Sequence, residues 1–467
     1  PSIIALLRDR DTSIRSFAIE AAGKIKAVEI GAYIVDYLGH RNLYSVAWSA
    51  LVNMGEGILE NLENAFYKTG VETKVKLRII KAMEKIGGTK AHHFLFNKID
   101  YHQRDVREAA IKALFDADFI PNERQKAKLK DIIYQSAIAG AVNIASESVI
   151  KERDPGNGIF EAIEEERKHT DILIFMLLAI CYDRHAIGHV QKSITEEAST
   201  DSGYALELLN MIIEDDAFAY LEPYFDDLPI ADKIRRLQNE IPVEILPYEK
   251  LLIDIINRDS LYTGNYLRVC AIDAIGIHDD IDAGKYLAAQ LFHPHPVISS
   301  VASVVLGDKN PTLFRNILER LDADNENDHQ YQFLRGQFAA KNTIQQVENL
   351  KSWKLFEGVR REEILRLTQI LLPAEKGQGK KGNRVSLIKR NTQSDNVLSD
   401  GAILILDDYP EILEHINYLA TLPGLNHYQA DLKSARELLF DEINIRTHIR
   451  SFLISEHAKS IFDIKVN

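Results

Sequence analysis

A ten-residue pattern recurs along this chain and limits what it can fold into. The stretch IRSFAIEAAG at 14–23 returns as LRVCAIDAIG at 267–276, with arginine, alanine, isoleucine, an acid, alanine and glycine at matching places. Each copy puts apolar residues at i, i+4 and i+7, which line one face of an α-helix. The pattern therefore predicts one helix per copy and a chain built from many copies of one unit.

The same phase can be followed through the first 120 residues and again from residue 260. Neighbouring copies start 29, 32 and 31 residues apart in the first run and 30 apart in the second. Glycine- or proline-containing breaks and a second amphipathic segment follow each first helix, which is typical of a helical hairpin repeat. One hairpin cannot bury its apolar face alone, so neighbouring hairpins must stack. The copies start at Ile14, Leu43, Val75, Val106, Leu267 and Val297.

These units resemble HEAT repeats. The shared features are the starts at Asp11–Arg15 and Asp105–Arg107, each followed by alanines three residues apart, with a glycine after the first copy. The resemblance implies an all-α fold, a right-handed α-α superhelix (a HEAT-like, armadillo-like solenoid), over residues 1–340. Between the two clear runs the period loosens, but amphipathic helical segments persist.

The C-terminal third departs from the repeat. Residues 341–372 are predicted to be a helical lead-in, and residues 373–401 a flexible basic loop rich in Gly, Lys, Asn and Ser. The apolar runs RVSLI and AILIL are the candidates for short strands in this part. Residues 402–467 return to a helical pattern and are predicted to form a smaller, mainly helical region.

Two stretches resemble bacterial transporter-like proteins related to the ATP/ADP translocases. Residues 204–237 are similar to part of the HEAT region that follows the membrane portion of those proteins. Residues 350–371, LKSWKLFEGVRREEILRLTQIL, are similar to the lead-in of a cyclic-nucleotide-binding module. The resemblance implies a cytoplasmic chain at the inner face of a membrane. It would dock on its own membrane domain or on a protein partner.

The nucleotide site itself is degenerate in this sequence. A working site uses a Gly-Glu pair and a following arginine inside a β-barrel, and no such order occurs after Pro373. No cofactor is therefore predicted. The chain opens inside an amphipathic pattern without an initiator methionine, which favours a fragment whose N-terminal part is missing.

Charge and apolar content exclude several classes of function. The net charge of −13 repels a phosphate backbone, so no nucleic-acid partner is predicted. Two cysteines, Cys181 and Cys270, cannot staple a chain of 467 residues and indicate a reducing, cytoplasmic compartment. The most apolar run, 172–180, is too short for a membrane span of about 20 residues, so no membrane insertion is predicted.

No motif for catalysis or metal binding emerges. The glycine-rich stretch 377–383 lacks the order of a phosphate loop, and the acidic stretch 322–328 lacks the glycine and glutamate of a calcium loop. The histidines at 92–93 are adjacent on a predicted helix and point about 100° apart. Those at 293–295 lie in a proline-rich turn. The sequence therefore predicts neither an enzyme nor a metal site.

An acidic face is the surviving functional feature. Residues 201–260 hold fourteen acids against five bases. Such a surface fits a basic protein partner, and the candidate partner-binding residues are Asp215, Asp216, Asp226 and Asp227.

These features together predict a non-catalytic, HEAT-repeat binding or regulatory scaffold. The resemblance implies that it is the cytosolic part of a larger membrane transporter-like protein. Two alternatives stay open: a freestanding protein-interaction scaffold, and a ligand sensor acting through the divergent cyclic-nucleotide-binding-like region. A HEAT-like DNA glycosylase would need a basic concave groove, which the net charge of −13 disfavours.

Overall fold

The computed structural model describes most of the first 368 residues and four short segments beyond them. All regular elements of the described residues between 3 and 368 are helical. The described ranges are 3–40, 43–153, 158–195, 202–213, 215–322, 343–352, 358–368, 371–373, 384–390, 403–405 and 425–431.

The α-helices have the following bounds: α1 (Ile3–Leu7), α2 (Thr12–Lys24), α3 (Gly31–Val35), α4 (Tyr44–Met54), α5 (Leu59–Tyr67), α6 (Thr73–Ile86), α7 (Gly88–Phe96), α8 (Arg104–Asp116), α9 (Glu123–Arg153), α10 (Ile159–Cys181), α11 (Arg184–Thr195), α12 (Ser202–Ile212), α13 (Asp215–Phe225), α14 (Ile230–Glu240), α15 (Tyr248–Asn257), α16 (Asn265–Ile277), α17 (Gly284–Gln290), α18 (Pro296–Lys309), α19 (Pro311–Asp322), α20 (Thr343–Lys351) and α21 (Arg361–Thr368). Short 3₁₀ turns lie at Val28–Ile30, Asp36–Gly39 and Gly55–Ile58. None of the helices in the described part of the chain is both long enough and apolar enough to cross a membrane.

The chain divides into two compact units. Unit one consists of Pro1–Glu152, Glu166–Leu246 and Asp259–Tyr262. Unit two consists of Arg153–Glu165, Pro247–Arg258 and Thr263–Asn467.

The first helices of successive copies pack on one another in unit one. Helix α2 packs on α4, α4 on α6, and α6 on α8. The second helices form another row, in which α3 contacts α5 and α5 contacts α7. Each copy at the start of the chain therefore contributes one helix to each of two rows.

Small residues allow the first helices to approach closely. A Cβ atom on Gly23 of α2 would lie 2.6 Å from the Cα of Ala50 in α4, so the two backbones touch at this point. The alanines that carry the repeat phase, Ala18, Ala47 and Ala110, are all buried in the core of unit one. The predicted helix face is confirmed at these positions.

Replacing one of these alanines with a larger residue tests the phase of the repeat. Ala110→Leu is expected to lower the free energy of unfolding by about 1–3 kcal/mol, because the added carbons have no space in a close-packed core. Lys112→Leu on the same helix is the matched control. Its side chain is 55% exposed, so its effect is expected within about 0.5 kcal/mol. Urea denaturation of both variants makes the comparison, and a neutral Ala110→Leu would show that this face is not packed.

Unit two repeats the arrangement with its own copies. Helix α15 packs on α16, α16 on α18, and α17 on α18. The arginine that recurs in the repeat has a structural role in this unit, where its copy is Arg268. Arg268 is 4% exposed and donates from its guanidinium to the carbonyl oxygens of Ile256, at 2.7 Å, and Arg258. It thereby donates hydrogen bonds to carbonyl oxygens at the end of α15, which have no donor within their own helix.

The C-terminal region contains a sheet. Strands β1 (Leu371–Pro373), β2 (Arg384–Arg390), β3 (Ile403–Ile405) and β4 (Leu425–Asp431) pair in the order β1-β4-β2-β3, all antiparallel. The two runs named as strand candidates do form β2 and β3. The helical prediction is wrong at β4, within 402–467, and at 371–372, the end of the predicted lead-in. Pairing of β4 with β2 over seven residues decides its conformation, and this contact between distant segments has no local signature. Most of 373–467 lies outside the described residues, and so does the acidic stretch at 323–328.

Candidate functional site

The four predicted partner-binding aspartates lie at the two ends of one helix. Asp215 and Asp216 begin α13, whereas Asp226 and Asp227 follow its last residue, Phe225. A helix of eleven residues is about 16 Å long, so the structure keeps the two pairs apart. They form two acidic ends, not one continuous face.

The four aspartates also differ in how accessible their carboxylates are to a binding partner. Asp226 accepts a hydrogen bond from Arg236 at 3.0 Å, and the same arginine pairs with Glu222. Asp216 and Asp227 are exposed, and the Asp216 carboxylate accepts a hydrogen bond from the backbone N–H of Ala217. The side chain of Asp215 lies outside the described residues. The exposed carboxylates of 216 and 227 are therefore the ones that can meet a partner.

A groove in unit one was not predicted from the sequence. It encloses about 580 Å³ between α5 with the 3₁₀ turn before it and α7. Its floor is apolar, formed by the buried side chains of Leu59, Met83 and Phe94. Its two walls are polar and exposed.

The walls of the groove are unequal in charge. Glu56, Glu60 and Glu63 lie on one side, at helical spacing of four and three residues. Lys90 and His93 lie on α7 opposite them. Three carboxylates against one permanent cation make the groove acidic at neutral pH. The signal was present in the sequence as three glutamates on one helix face, but nothing local indicates which helix lies opposite.

A buried ion-pair network crosses unit one. Arg104 pairs with Glu108 at 2.7 Å and with Glu166 at 2.5 Å, and Glu108 also contacts His169 at 2.9 Å. Burial alone would raise the pKa of Glu108, but His169 and Arg104 hold that pKa well below its usual range. Because these charges compensate one another, the network fastens α8 to α10.

A neighbouring network links α9, α10 and α13 of unit one. Arg167 of α10 pairs with Glu147 of α9 at 2.8 Å and with Asp171 at 3.3 Å. The hydroxyl of Tyr224 in α13 donates to Asp171 at 2.6 Å. Burial raises the pKa of Asp171, although Tyr224 and Arg167 act in the opposite direction. This network too is a set of paired groups that positions helices.

Unit two has an ion-pair clasp built on Arg361. Its guanidinium donates two hydrogen bonds to the carboxylate of Glu348, at 2.7 and 2.9 Å, and one to that of Glu165, at 2.7 Å. The backbone N–H of Arg361 donates to the same Glu165 at 2.8 Å. Tyr266 donates its hydroxyl to Glu348 at 2.6 Å. We call these four residues the Arg361 clasp. It ties α20 and α21 to α16 and to the start of α10.

The histidines at 293 and 295 lie in the turn between α17 and α18. Burial, with Arg268 and His295 nearby, lowers the pKa of His293 to about 4, so this ring is neutral at physiological pH. Its Nδ1 accepts a hydrogen bond from the backbone N–H of His295 at 3.0 Å, which closes the turn. Among the residues that the structure describes, no three His, Cys, Asp or Glu side chains are arranged to hold a metal ion.

Comparison with known proteins identifies no family. No protein-family model matches the chain, and no curated protein sequence matches it. A crystal structure described as an engineered protein is 15% identical, and the match covers 73% of this chain and 98% of that chain, with a TM-score of 0.21. A likeness this low carries no statement about fold or function.

Proposed function

We propose that the chain is a non-catalytic, HEAT-like solenoid that binds a basic protein partner. The two rows of helices in unit one and the period near 31 residues support a solenoid. Solenoids of this kind bind through extended surfaces formed by successive repeats.

The groove between α5 and α7 is the observation that carries the binding role. It combines an apolar floor with a wall of three glutamates. Methionine and phenylalanine on such a floor accept an apolar side chain, and carboxylates on the rim attract a cation next to it. A segment with lysine or arginine beside a hydrophobic residue therefore fits this groove best.

Charge reversal in the groove tests this function. In the Glu60→Lys, Glu63→Lys variant, the dissociation constant for a fluorescein-labelled amphipathic peptide of lysine and leucine is expected to rise about tenfold. Two reversed rim charges of about 0.7 kcal/mol each give that factor. Fluorescence polarisation measures it. Glu123→Lys with Glu152→Lys is the control, because it changes the net charge equally at exposed positions of α9.

A second pair of substitutions tests whether the partner binds at the acidic ends of α13 and not in the groove. Asp216→Lys with Asp227→Lys carries the same charge change. If this pair weakens binding and the groove pair does not, the partner binds at α13. Equal loss in all three variants, control included, would show only non-specific attraction and would refute a defined acidic site.

We also propose that the chain is the cytosolic part of a membrane transporter-like protein, at the inner face of the membrane. The similarity of residues 204–237 and 350–371 to such proteins supports this. The native reading frame is the test. Several upstream apolar spans of about 20 residues each would support the proposal. A frame without them would favour the freestanding scaffold.

The ligand-sensor alternative has its own test. Cyclic nucleotides or ATP at millimolar concentration should raise the melting temperature if the C-terminal region binds them. An unchanged melting temperature with both would remove this alternative.

A further inference from the structure

The groove between α5 and α7 lies within the second row of helices, not at an end of it. Helix α5 contacts α3 on one side and α7 on the other, so the groove has both of its walls. Glu60, Glu63 and Lys90 are exposed on these walls. None of the three forms an ion pair with another residue in the part of the chain that the structure describes. The walls therefore offer charges that a partner can pair.

Glu56 differs from the other two glutamates because it is already placed against α7. A Cβ atom on Gly88, the first residue of α7, would lie 2.5 Å from Oε1 of Glu56. A carboxylate beside the first turn of a helix interacts favourably with the N–H groups there, which have no acceptor in their own helix. Glu56 thus lies over backbone donors at the start of α7, and Glu60 and Glu63 are left for the cations of a partner.

The walls of the groove do not suit an extended peptide. Every residue that lines the groove belongs to a helix or to the 3₁₀ turn at Gly55–Ile58. Inside a helix the backbone N–H and C=O groups bond to one another, so these walls present no strand edge to which an extended chain could add. A helical partner bonds its own backbone groups and needs only side-chain contacts. The groove between two neighbouring helices also accepts the side-chain ridge of a third helix.

Building on the proposed binding role of this groove, we infer that the basic partner enters it as an amphipathic helix. Helices α5 and α7 have nine residues each. The groove is therefore about 13 Å long and takes slightly more than two helical turns. Apolar side chains at i, i+4 and i+7 of the partner lie over the floor at Leu59 and Phe94. Cations three or four residues apart on one flank rise about 4.5–6 Å, which matches the spacing of Glu60 and Glu63 along α5.

Lys90 determines which flank of the partner helix can be basic. It lies on α7, on the side of the groove opposite Glu60 and Glu63. A cation on the flank that faces α7 meets this lysine, and like charges brought together weaken binding. The partner is therefore a helix with cations on the α5 side, apolar residues over the floor, and neutral or acidic residues on the α7 side.

A pair of peptides tests whether the partner binds as a helix. Both are fluorescein-labelled, have about 15 residues of leucine, lysine and glutamine with the lysines on one flank, and differ only in a central alanine or proline. Proline breaks the helix without changing the charge, so its dissociation constant from the full chain is expected to be about 100-fold higher by fluorescence polarisation. The circular dichroism of the alanine peptide should gain helical signal on binding, since a free peptide of this length is only partly helical.

The Glu60→Lys, Glu63→Lys variant separates failure of the helix from failure of the groove. If the alanine and proline peptides bind the full chain equally and this variant weakens both, the groove binds a basic segment but the helix inference is overturned. If the variant weakens neither peptide, or neither peptide binds, the groove is not the site and the proposed function falls with the inference.

A second peptide with lysines on both flanks tests the role of Lys90. Lys90→Glu should improve its binding relative to the one-flank peptide by about threefold, because one repulsive rim charge becomes attractive. Arg124→Glu, at an exposed position of α9, changes the net charge equally and is the control. An equal improvement in both variants would show only non-specific attraction and would overturn the assignment of the α7-facing flank.

Discussion

Gly140→Ala is expected to destabilise unit one, although alanine normally stabilises the interior of a helix. Gly140 lies buried in the middle of α9. A Cβ atom there would fall 2.7 Å from two ring carbons of Tyr224 and closer still to its hydroxyl oxygen. The ring is 3% exposed and has little room to move. Glycine is therefore required here by the approach of α13.

The expected size follows from two opposing effects. Alanine contributes about 1 kcal/mol through helix propensity. Displacing Tyr224 costs about 1–3 kcal/mol as overpacking and about 1.5–3 kcal/mol more when its hydroxyl leaves the Asp171 carboxylate. The net loss should be about 1.5–5 kcal/mol in the free energy of unfolding, measured by urea denaturation.

Gly188→Ala is the matched control. Gly188 lies inside α11, is exposed, and has no atom within 4 Å of the place a Cβ would occupy. This variant should gain about 0.5–1 kcal/mol. In a Tyr224→Leu background, Gly140→Ala should cost much less, because the colliding atoms are gone. If both glycine variants were stabilising by similar amounts, Tyr224 would not be packed on α9 as described.

Arg361→Gln is expected to loosen α20 and α21 from the rest of unit two. The Arg361 side chain is 13% exposed and balances the charges of Glu348 and Glu165. Glutamine would leave these carboxylates close together, with Lys351 at 3.3 Å from Glu165 as a remaining cation. Removing one partner of a largely buried pair costs about 3–5 kcal/mol, and the partial exposure of the glutamates reduces this to about 2–3 kcal/mol.

Hydrogen exchange measures this loss where it occurs. Amides of 361–368 and 343–352 should exchange about 30-fold faster or more, since 2 kcal/mol of local stability corresponds to that factor. The neighbouring Arg360→Gln is the control. Arg360 is 35% exposed and contacts Glu363 at 3.4 Å, so its loss should cost under about 1 kcal/mol. Equal exchange in both variants would contradict the clasp.

The clasp also predicts a pH dependence. Burial acts to raise the pKa of Glu348, but hydrogen bonds from Arg361 and Tyr266 bring it below its ordinary value. A carboxyl with a lowered pKa in the folded state stabilises above its unfolded pKa, and this contribution disappears as the pH falls through the folded value. The difference in amide protection between the parent chain and the Arg361→Gln variant should therefore be largest at neutral pH. It should narrow below the ordinary glutamate pKa of about 4.3.

The helices of the first 120 residues were predictable because their signal is local. A period of 3.6 residues is written in consecutive side chains, and it placed Ala47 and Ala110 in the core before any fold was known. The strand at Leu425–Asp431 was not predictable in this way, because it forms by pairing with a segment about forty residues away. Such tertiary contacts override the intrinsic secondary-structure propensity of the segment.

The candidate site shows the same division. The acidic character of 201–260 is a property of composition, and the sequence determined it without a structure. The separation of Asp216 from Asp227, and the use of Asp226 by Arg236, follow from where α13 begins and ends and from what packs beside it. The groove at Glu56, Glu60 and Glu63 depends on α7 lying opposite α5.

The sequence by itself determined the helical repeat, its phase and its excess of negative charge, because each of these is set by residues close together in the chain. Only the tertiary structure decided the Arg361 clasp, whose Glu165 and Arg361 are 196 residues apart. One repeat looks like the next in sequence. Which of its faces is covered depends on the neighbours it meets after folding, and burial is a property of that arrangement.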